Sequence, residues 1–361
     1  MPRHSFSPYA RLLPALLGLF IAATAAAAQA PELGGYQADP GQTTVSGLSS
    51  GGYMAGQFAV AYSATIKGVA LIGTGPYGCS TEPGVPPYIP YLVNAMTVCG
   101  NPASAGVDPP DAAALWRWAQ LVAQRGVIDD TAHLQNQKVY IFSGRNDQTV
   151  TRAVVDQTAR FYQLAGVPAA NLRYLSNVDA GHAIITSQSG DVACGQTASP
   201  FINNCGFVQS QDMLNFLYAG LNPPAATLSG KIVAFNQRSF IKGPYSSMNQ
   251  TAYAYVPAAC NTQSCRIHVA FHGCLQDVSA IGNRFYAHTG YNELADSNRI
   301  IMLYPQAAVS RVYPYNPNGC WDFWGYSDVD PFLPDFYARS GIQMTAVKAM
   351  IDRLAAPRGS H

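Results

Sequence analysis

The chain has 361 residues and a formal net charge of +1, with 21 Lys and Arg against 20 Asp and Glu. Only 11% of its residues are charged, which argues against a nucleic-acid partner, because neutralising phosphates needs a basic face. Its 21 tyrosines suit a neutral, partly apolar partner, since each offers apolar area with a polar tip.

Arg3, His4 and Arg11 flank the start of an apolar stretch from Leu12 to Ala28. The stretch is short and runs into alanines, the pattern of a secretory signal peptide and not of a membrane anchor. Ala26-Ala27-Ala28 fits a small-x-small cleavage site, whereas a cut after Ala30 would leave Pro31 next to the scissile bond. Residues 1–28 are therefore expected to be removed, giving a mature chain from Gln29 that is secreted or periplasmic. No later segment is apolar for long enough to insert stably in a bilayer.

Gln42-Thr43-Thr44-Val45-Ser46 predicts a strand and Gly52 to Ala64 a helix, with Gly47-Leu48-Ser49-Ser50-Gly51 between them. Strand, G-x-S-x-G, helix is the setting of a nucleophile elbow, where glycines let backbone crowd a strained turn that lifts the serine out of the sheet. Ser49 is the candidate nucleophile; a Gly/Ser turn that merely caps the helix is the other explanation. Further strands are predicted at Ile66–Ile72, Lys138–Phe142, Asn171–Leu175, Ile232–Phe235, Ala252–Val256, Ile267–Phe271 and Ile300–Tyr304. Helices are predicted at Ala112–Gln124, Val150–Leu164, Ser210–Leu221, Gly282–Asp296 and Gly341–Leu354. Such alternation marks an α/β sheet.

Ile184 to Phe207 reads as a polar, cysteine-containing loop. Asn222 to Gly230 connects two halves but is too short and apolar for a flexible linker. One domain over 29–356 is expected, with no repeat or second module after Leu354 and an unstructured tail at 357–361.

The eight cysteines, even in number behind an export signal, argue for disulfides. Spacing suggests sequence neighbours as pairs: Cys79–Cys99, Cys194–Cys205, Cys260–Cys265 and Cys274–Cys320. A zinc site is the rival, but there is no C-x-x-C pair and no histidine cluster nearby.

A serine nucleophile needs a base and an orienting acid. His268 alternates with apolar residues in a strand, and His133 and His288 lie in or beside helical patterns. His182, in Asp179-Ala180-Gly181-His182-Ala183, follows a strand, where α/β enzymes carry their sites. It is the candidate base, against a buried loop histidine as the alternative. Asp147 follows Lys138–Phe142 and is the candidate acid, although a helix N-terminus also favours an acid there. Asp179 more naturally shapes the turn before His182. The order Ser49, Asp147, His182 matches nucleophile, acid and base in α/β-hydrolases.

One feature is displaced. The strand ending in His-Gly, which normally precedes the nucleophile strand, comes late as Val269-Ala270-Phe271-His272-Gly273-Cys274. The chain thus reads as a circularly permuted α/β-hydrolase, cut just before the nucleophile strand; neighbouring termini make such rewiring tolerable.

Gly47-Leu48-Ser49-Ser50-Gly51-Gly52-Tyr53-Met54, His272-Gly273-Cys274-Leu275-Gln276 and Asn318-Gly319-Cys320-Trp321-Asp322-Phe323-Trp324-Gly325-Tyr326 together resemble the secreted short-chain-length polyhydroxyalkanoate depolymerases, type 2 catalytic domain. The resemblance covers nearly the whole mature chain. It implies a Ser49, Asp147, His182 triad and an oxyanion hole from the amides of Ser50 and Cys274, with His272 in support. It also implies that Trp321, Trp324 and Tyr53 contact substrate. A Cys274–Cys320 bond would lock the oxyanion loop to the Trp321 loop. Both tryptophans also fit simple core residues.

The expected activity is hydrolysis of poly(3-hydroxybutyrate)-like polyesters or their oligomers through an acyl-enzyme, by a monomer without metal or cofactor. Alternatives are an esterase for soluble aryl or acetyl esters (feruloyl or acetyl-xylan type) and a non-catalytic polymer-binding protein on a hydrolase scaffold. Many family members append a polymer-binding domain that is not visible here. Tyr88, Tyr91, Tyr313 and Tyr315 in Pro-rich loops are candidates for adsorbing polymer directly, or for ordinary loop packing.

Overall fold

A computed structural model describes residues 1, 2, 4, 29–81, 89–330 and 332–359. The expected signal peptide falls almost wholly outside them, as does Tyr88. The strands are β1 (Thr43–Leu48), β2 (Ile66–Ile72), β3 (Lys138–Phe142), β4 (Leu172–Leu175), β5 (Ile184–Thr186), β6 (Val192–Ala193), β7 (Ile202–Asn204), β8 (Lys231–Asn236), β9 (Thr251–Val256), β10 (Arg266–Phe271) and β11 (Ile300–Tyr304). The helices are α1 (Ser50–Ala61), α2 (Ile89–Met96), α3 (Pro102–Ala105), α4 (Ala112–Gln124), α5 (Arg152–Leu164), α6 (Gln209–Tyr218), α7 (Val278–Ile281), α8 (Arg284–His288), α9 (Tyr291–Asn298) and α10 (Ile342–Ala355).

Eight strands form one sheet in the order β4-β3-β2-β1-β10-β11-β9-β8. The six from β4 to β11 run parallel, while β9 and β8 are antiparallel additions at one edge. Alternate residues along each strand face opposite sides, and both sides are covered. Val45, Val69, Leu71, Val269 and Phe271 pack with α1, α4, α5 and α10; Ala70, Ile72, Ala270, Met302 and Tyr304 pack with α6, α8 and α9. This is the α/β-hydrolase-like layering expected from the alternating pattern.

Strands from both sides of Asn222–Gly230 share the sheet, and the connection itself is tied down. Asn222 donates its backbone N–H to Asn298 Oδ1 at 2.6 Å, and Ser229 donates to Asp296.

Three details differ from the sequence expectations. Ile184 to Phe207, read as loop, contains a second small sheet in the order β5-β7-β6, braced by the Cys194–Cys205 disulfide. The helix expected over Gly282–Asp296 is broken, because Gly290 takes φ +81° between α8 and α9, and a Cβ there would strike Val208 Cγ1 at 2.4 Å. Finally, Pro357–Gly359 form a turn in which Arg358 bonds the side chain of Gln37 in the N-terminal segment. Ser360 and His361 lie outside the described residues.

All eight cysteines are paired, in the four neighbour pairs that spacing suggested.

Candidate active site

Ser49 follows β1 and caps the start of α1 with φ 57° and ψ −125°, a conformation that L-residues hold only under strain. The flanking glycines make the turn possible. A Cβ on Gly47 would stand 2.1 Å from the Gly51 carbonyl oxygen, and one on Gly51 would stand 2.3 Å from the His272 oxygen. The Ser49 amide donates to the Ile72 carbonyl at 2.9 Å, anchoring the turn on β2. Ser50 and its neighbours then begin α1, whose first N–H groups have no partner within the helix.

Asp147 follows β3 and His182 follows β4. Their loops are stitched together by the Arg145 amide to Val178 O (2.9 Å) and the Asn146 amide to Ala180 O (3.0 Å). The pair meets at 2.7 Å, His182 Nδ1 to Asp147 Oδ2, with both residues buried. Asp147 Oδ1 accepts the amides of Thr149 and Val150, each at 2.9 Å, so the carboxylate is held at both oxygens. The His182 amide donates to Thr197 Oγ1 at 2.9 Å. With Nδ1 committed to Asp147, the other nitrogen, Nε2, is buried and has no partner among the described residues. Gly73, next to Ile72, takes φ +52°, and a Cβ there would lie 3.0 Å from Asp147 Oδ2 and 3.1 Å from the His182 ring. The pair therefore stands beside the residue that follows the acceptor of the Ser49 amide. Asp179 points away and pairs with Arg145 at 3.2 Å, in keeping with a turn-shaping role.

The oxyanion loop arrives from the other side of β1, on β10. Gly273 is close enough to the nucleophile that its Cβ would lie 3.5 Å from Ser49 Cβ. Among the described residues the Cys274 amide has no hydrogen-bond acceptor, whereas the next amide, of Leu275, donates to Asn318 O at 2.8 Å. Cys274 is cross-linked to Cys320, and the Trp321 amide donates to Ser50 Oγ at 3.3 Å. His272 is fully buried: its Nδ1–H donates to the Gly273 carbonyl at 2.7 Å and its Nε2 accepts the Ala307 amide at 3.1 Å. Burial lowers its pKa, so this imidazole stays neutral and braces the loop. His268 is likewise structural. Thr44 and Ser46 hydroxyls bond its two nitrogens at 2.6 and 2.7 Å, and burial pushes its pKa down to about 3.

Two expected substrate contacts need correction. Trp321 is fully buried, with its ring packed on Phe271 at a centroid distance of 5.1 Å and on His272 at 5.6 Å. The loop after Cys320 turns the indole inward, behind the oxyanion loop. Tyr53 is also buried: it stacks on Phe323 at 4.1 Å and donates its hydroxyl to the Cys99 carbonyl. Trp324 remains half-buried beside Phe323 and Tyr326. Of the tyrosines considered for adsorption, Tyr91 is buried against Phe336, while Tyr313 and Tyr315 are exposed.

Sequence reasoning passed over Asp322. Its carboxylate accepts the amides of Trp324, Gly325, Tyr326 and Ser327 and the Ser327 hydroxyl, so one side chain shapes the loop next to the disulfide. An acid among aromatics in Trp321-Asp322-Phe323-Trp324 was the available signal.

No family model matches the chain. It is 34% identical over 355 residues to the polyhydroxybutyrate depolymerase of Talaromyces funiculosus, covering 93% of this chain and 96% of that one. The chain belongs to the polyhydroxybutyrate depolymerase family. It is also 40% identical over 332 residues to the poly(3-hydroxybutyrate) depolymerase of Delftia acidovorans, covering 89% of this chain. The chain spans only 61% of the length of that depolymerase. Among solved structures it resembles the PHB depolymerase from Penicillium funiculosum, at 32% identity and a TM-score of 0.78. A serine-to-alanine PHB depolymerase complexed with an R3HB trimer gives the same TM-score at 31% identity. Each of these two superpositions covers 90% of this chain and 98% of the other depolymerase.

Proposed function

We propose that this chain is a secreted serine esterase that hydrolyses poly(3-hydroxybutyrate)-like polyesters or their oligomers. The observation that carries the reading is the buried 2.7 Å contact of Asp147 with His182, whose Nε2 has no partner among the described residues, packed on Gly73, which follows the Ile72 carbonyl that accepts the amide of the strained Ser49. In this reading His182 Nε2 takes the Ser49 proton as Oγ attacks the ester carbonyl, and Asp147 stabilises the imidazolium. The tetrahedral oxyanion is held by the amides of Ser50 and Cys274. Collapse breaks the ester C–O bond, and His182 gives the proton to the departing alkoxide oxygen, which leaves as the free hydroxyl. Water, deprotonated by the same imidazole, then attacks the acyl-enzyme and releases the acid and Ser49.

Residues 29–356 would act as one catalytic domain, monomeric, after removal of residues 1–28. No helix among the described residues is long and apolar enough to cross a membrane. Adsorption to polymer would use the domain's own surface. Val312, Tyr313, Tyr315, Val329, Phe332 and Leu333 are exposed, and Tyr313 Oη donates to Asp328 O at 3.1 Å, which joins their two loops. Trp324 is the remaining candidate for an acyl-chain contact. We also read the strand order as a circular permutation: β1 is first in the chain yet lies mid-sheet, and the His-Gly strand β10 is its direct neighbour.

The test is clearing of an amorphous poly(3-hydroxybutyrate) suspension by the mature protein and by Ser49→Ala, with product analysis. Clearing by wild type alone, with release of hydroxybutyrate monomers and dimers, supports substrate and nucleophile together. Equal clearing by the variant removes Ser49 from the mechanism. Cleavage of p-nitrophenyl butyrate without clearing removes the polymer and leaves a soluble-ester esterase.

A further inference from the structure

Gln276 is buried and joins two loops that are 70 residues or more apart in sequence. Its Oε1 accepts the Gly273 amide at 2.7 Å, and its Nε2 donates to the carbonyls of Pro200 (2.9 Å) and Phe201 (3.1 Å). Only one orientation of the carboxamide satisfies all three partners: a flip would aim the oxygen at two carbonyls and the NH2 at an N–H.

Each end of this bridge leads to the site. Gly273 precedes Cys274, so holding the Gly273 N–H toward Gln276 sets the backbone that aims the Cys274 amide. On the other side, Thr197 Oγ1 accepts the His182 amide at 2.9 Å and Phe201 O accepts the Ile184 amide at 3.1 Å. The segment from Thr197 to Phe201 therefore holds the chain at the His182 amide and again two residues later, and Gln276 grips that segment by two carbonyls.

We infer that Gln276 is a positioning residue that keeps the oxyanion loop and the His182 loop in mutual register. The Cys274 amide is then aimed at the carbonyl oxygen of the same ester whose attacking Ser49 Oγ and leaving oxygen His182 Nε2 serves. Gln276 touches neither substrate nor reacting atoms, and the inference rests on the serine-esterase reading above. A group working through geometry acts on the transition state, where displacement by about 1 Å costs about 100-fold in rate.

The experiment compares wild type, Gln276→Met and Gln276→Glu on p-nitrophenyl butyrate, with rates normalised to phosphonate-titrated active serine, and Ser49→Ala with wild type per mole of folded protein. Gln276→Met keeps the length and removes all three bonds. Its kcat is expected to fall about 10-fold to 100-fold, with KM changed by less than about threefold. Gln276→Glu adds a readout that a simple structural brace would not move. Protonated, the glutamic acid accepts from Gly273 and donates O–H to Pro200; ionised, it sets a charge against two carbonyls. Burial keeps that acid protonated above the usual range. Its kcat relative to wild type should therefore be near one at acid pH and fall as pH rises, while the ratio for Gln276→Met stays flat. Should the methionine variant fail to fold, the glutamate ratio decides alone. A Gln276→Met kcat within about twofold of wild type, or a pH-independent Gln276→Glu ratio, overturns the inference. If wild type is inactive, or Ser49→Ala equals it, the esterase reading fails and takes this inference with it.

Discussion

A Cβ on Gly51 would stand 2.3 Å from the carbonyl oxygen of His272 and 2.4 Å from that of Phe271. The first turn after Ser49 thus lies on the backbone of the strand end that opens the oxyanion loop. This contact is made of main chain on both sides, so neither partner can yield by changing a rotamer. It ties the nucleophile turn to Gly273 and Cys274 without any side-chain intermediary.

Gly51→Ala should therefore separate the two. The expected stability loss is about 1–3 kcal/mol, the usual scale for overpacking a close contact. The expected loss of kcat on a soluble ester is about 100-fold, since a 1 Å shift at the site costs that much. Thermal unfolding and steady-state kinetics on the same preparation check this. A fully active variant would mean that the turn does not depend on the contact.

Asp147→Asn should lower kcat by about 10³-fold to 10⁴-fold with little change in folding stability. The asparagine oxygen can still accept the Thr149 and Val150 amides, but its NH2 then faces His182 Nδ1. That forces the tautomer with Nε2 protonated, which cannot take the Ser49 proton. A loss of less than tenfold would point to another acid.

Removing Cys274–Cys320 by paired serine substitutions should destabilise the protein by about 2 kcal/mol more than removing Cys260–Cys265. The closed segments have sequence separations of 46 and 5, and loop entropy grows with their logarithm. Only the first pair borders the proposed oxyanion hole, so it alone should also lower kcat at temperatures where both variants are folded. Denaturant titrations and kinetics on the two double variants provide the comparison.

Asp328 makes stability depend on pH. Burial, and then the nearby charge of Asp322, raise its carboxyl from the ordinary 3.8 to about 9. The folded state thus holds a proton that the unfolded chain releases above about pH 4. Stability falls as pH rises through the window from about 4 to about 9, by up to about 1.4 kcal/mol per pH unit for this group. Asp328→Asn stays neutral and lacks that loss. Its melting temperature should gain on wild type steadily between about pH 5 and pH 8; parallel profiles would show that Asp328 is ionised throughout.

How much could be read without coordinates follows from how local each signal is. The Ser49 turn is encoded within five residues, because Gly47 and Gly51 permit what a Cβ would forbid. Asp147 and His182 were recognisable as residues after strands, and the four disulfides as pairs of sequence neighbours. The tertiary structure alone decided which way Trp321 and Tyr53 face. Their burial depends on Phe271, His272 and Phe323, brought up by other strands and loops. It likewise decided the break at Gly290, set by the approach of Val208, and the bridge from Gln276 to Pro200 and Phe201. Local backbone chemistry is written in consecutive residues. The environment of a side chain belongs to neighbours distant in the chain, and only packing chooses them.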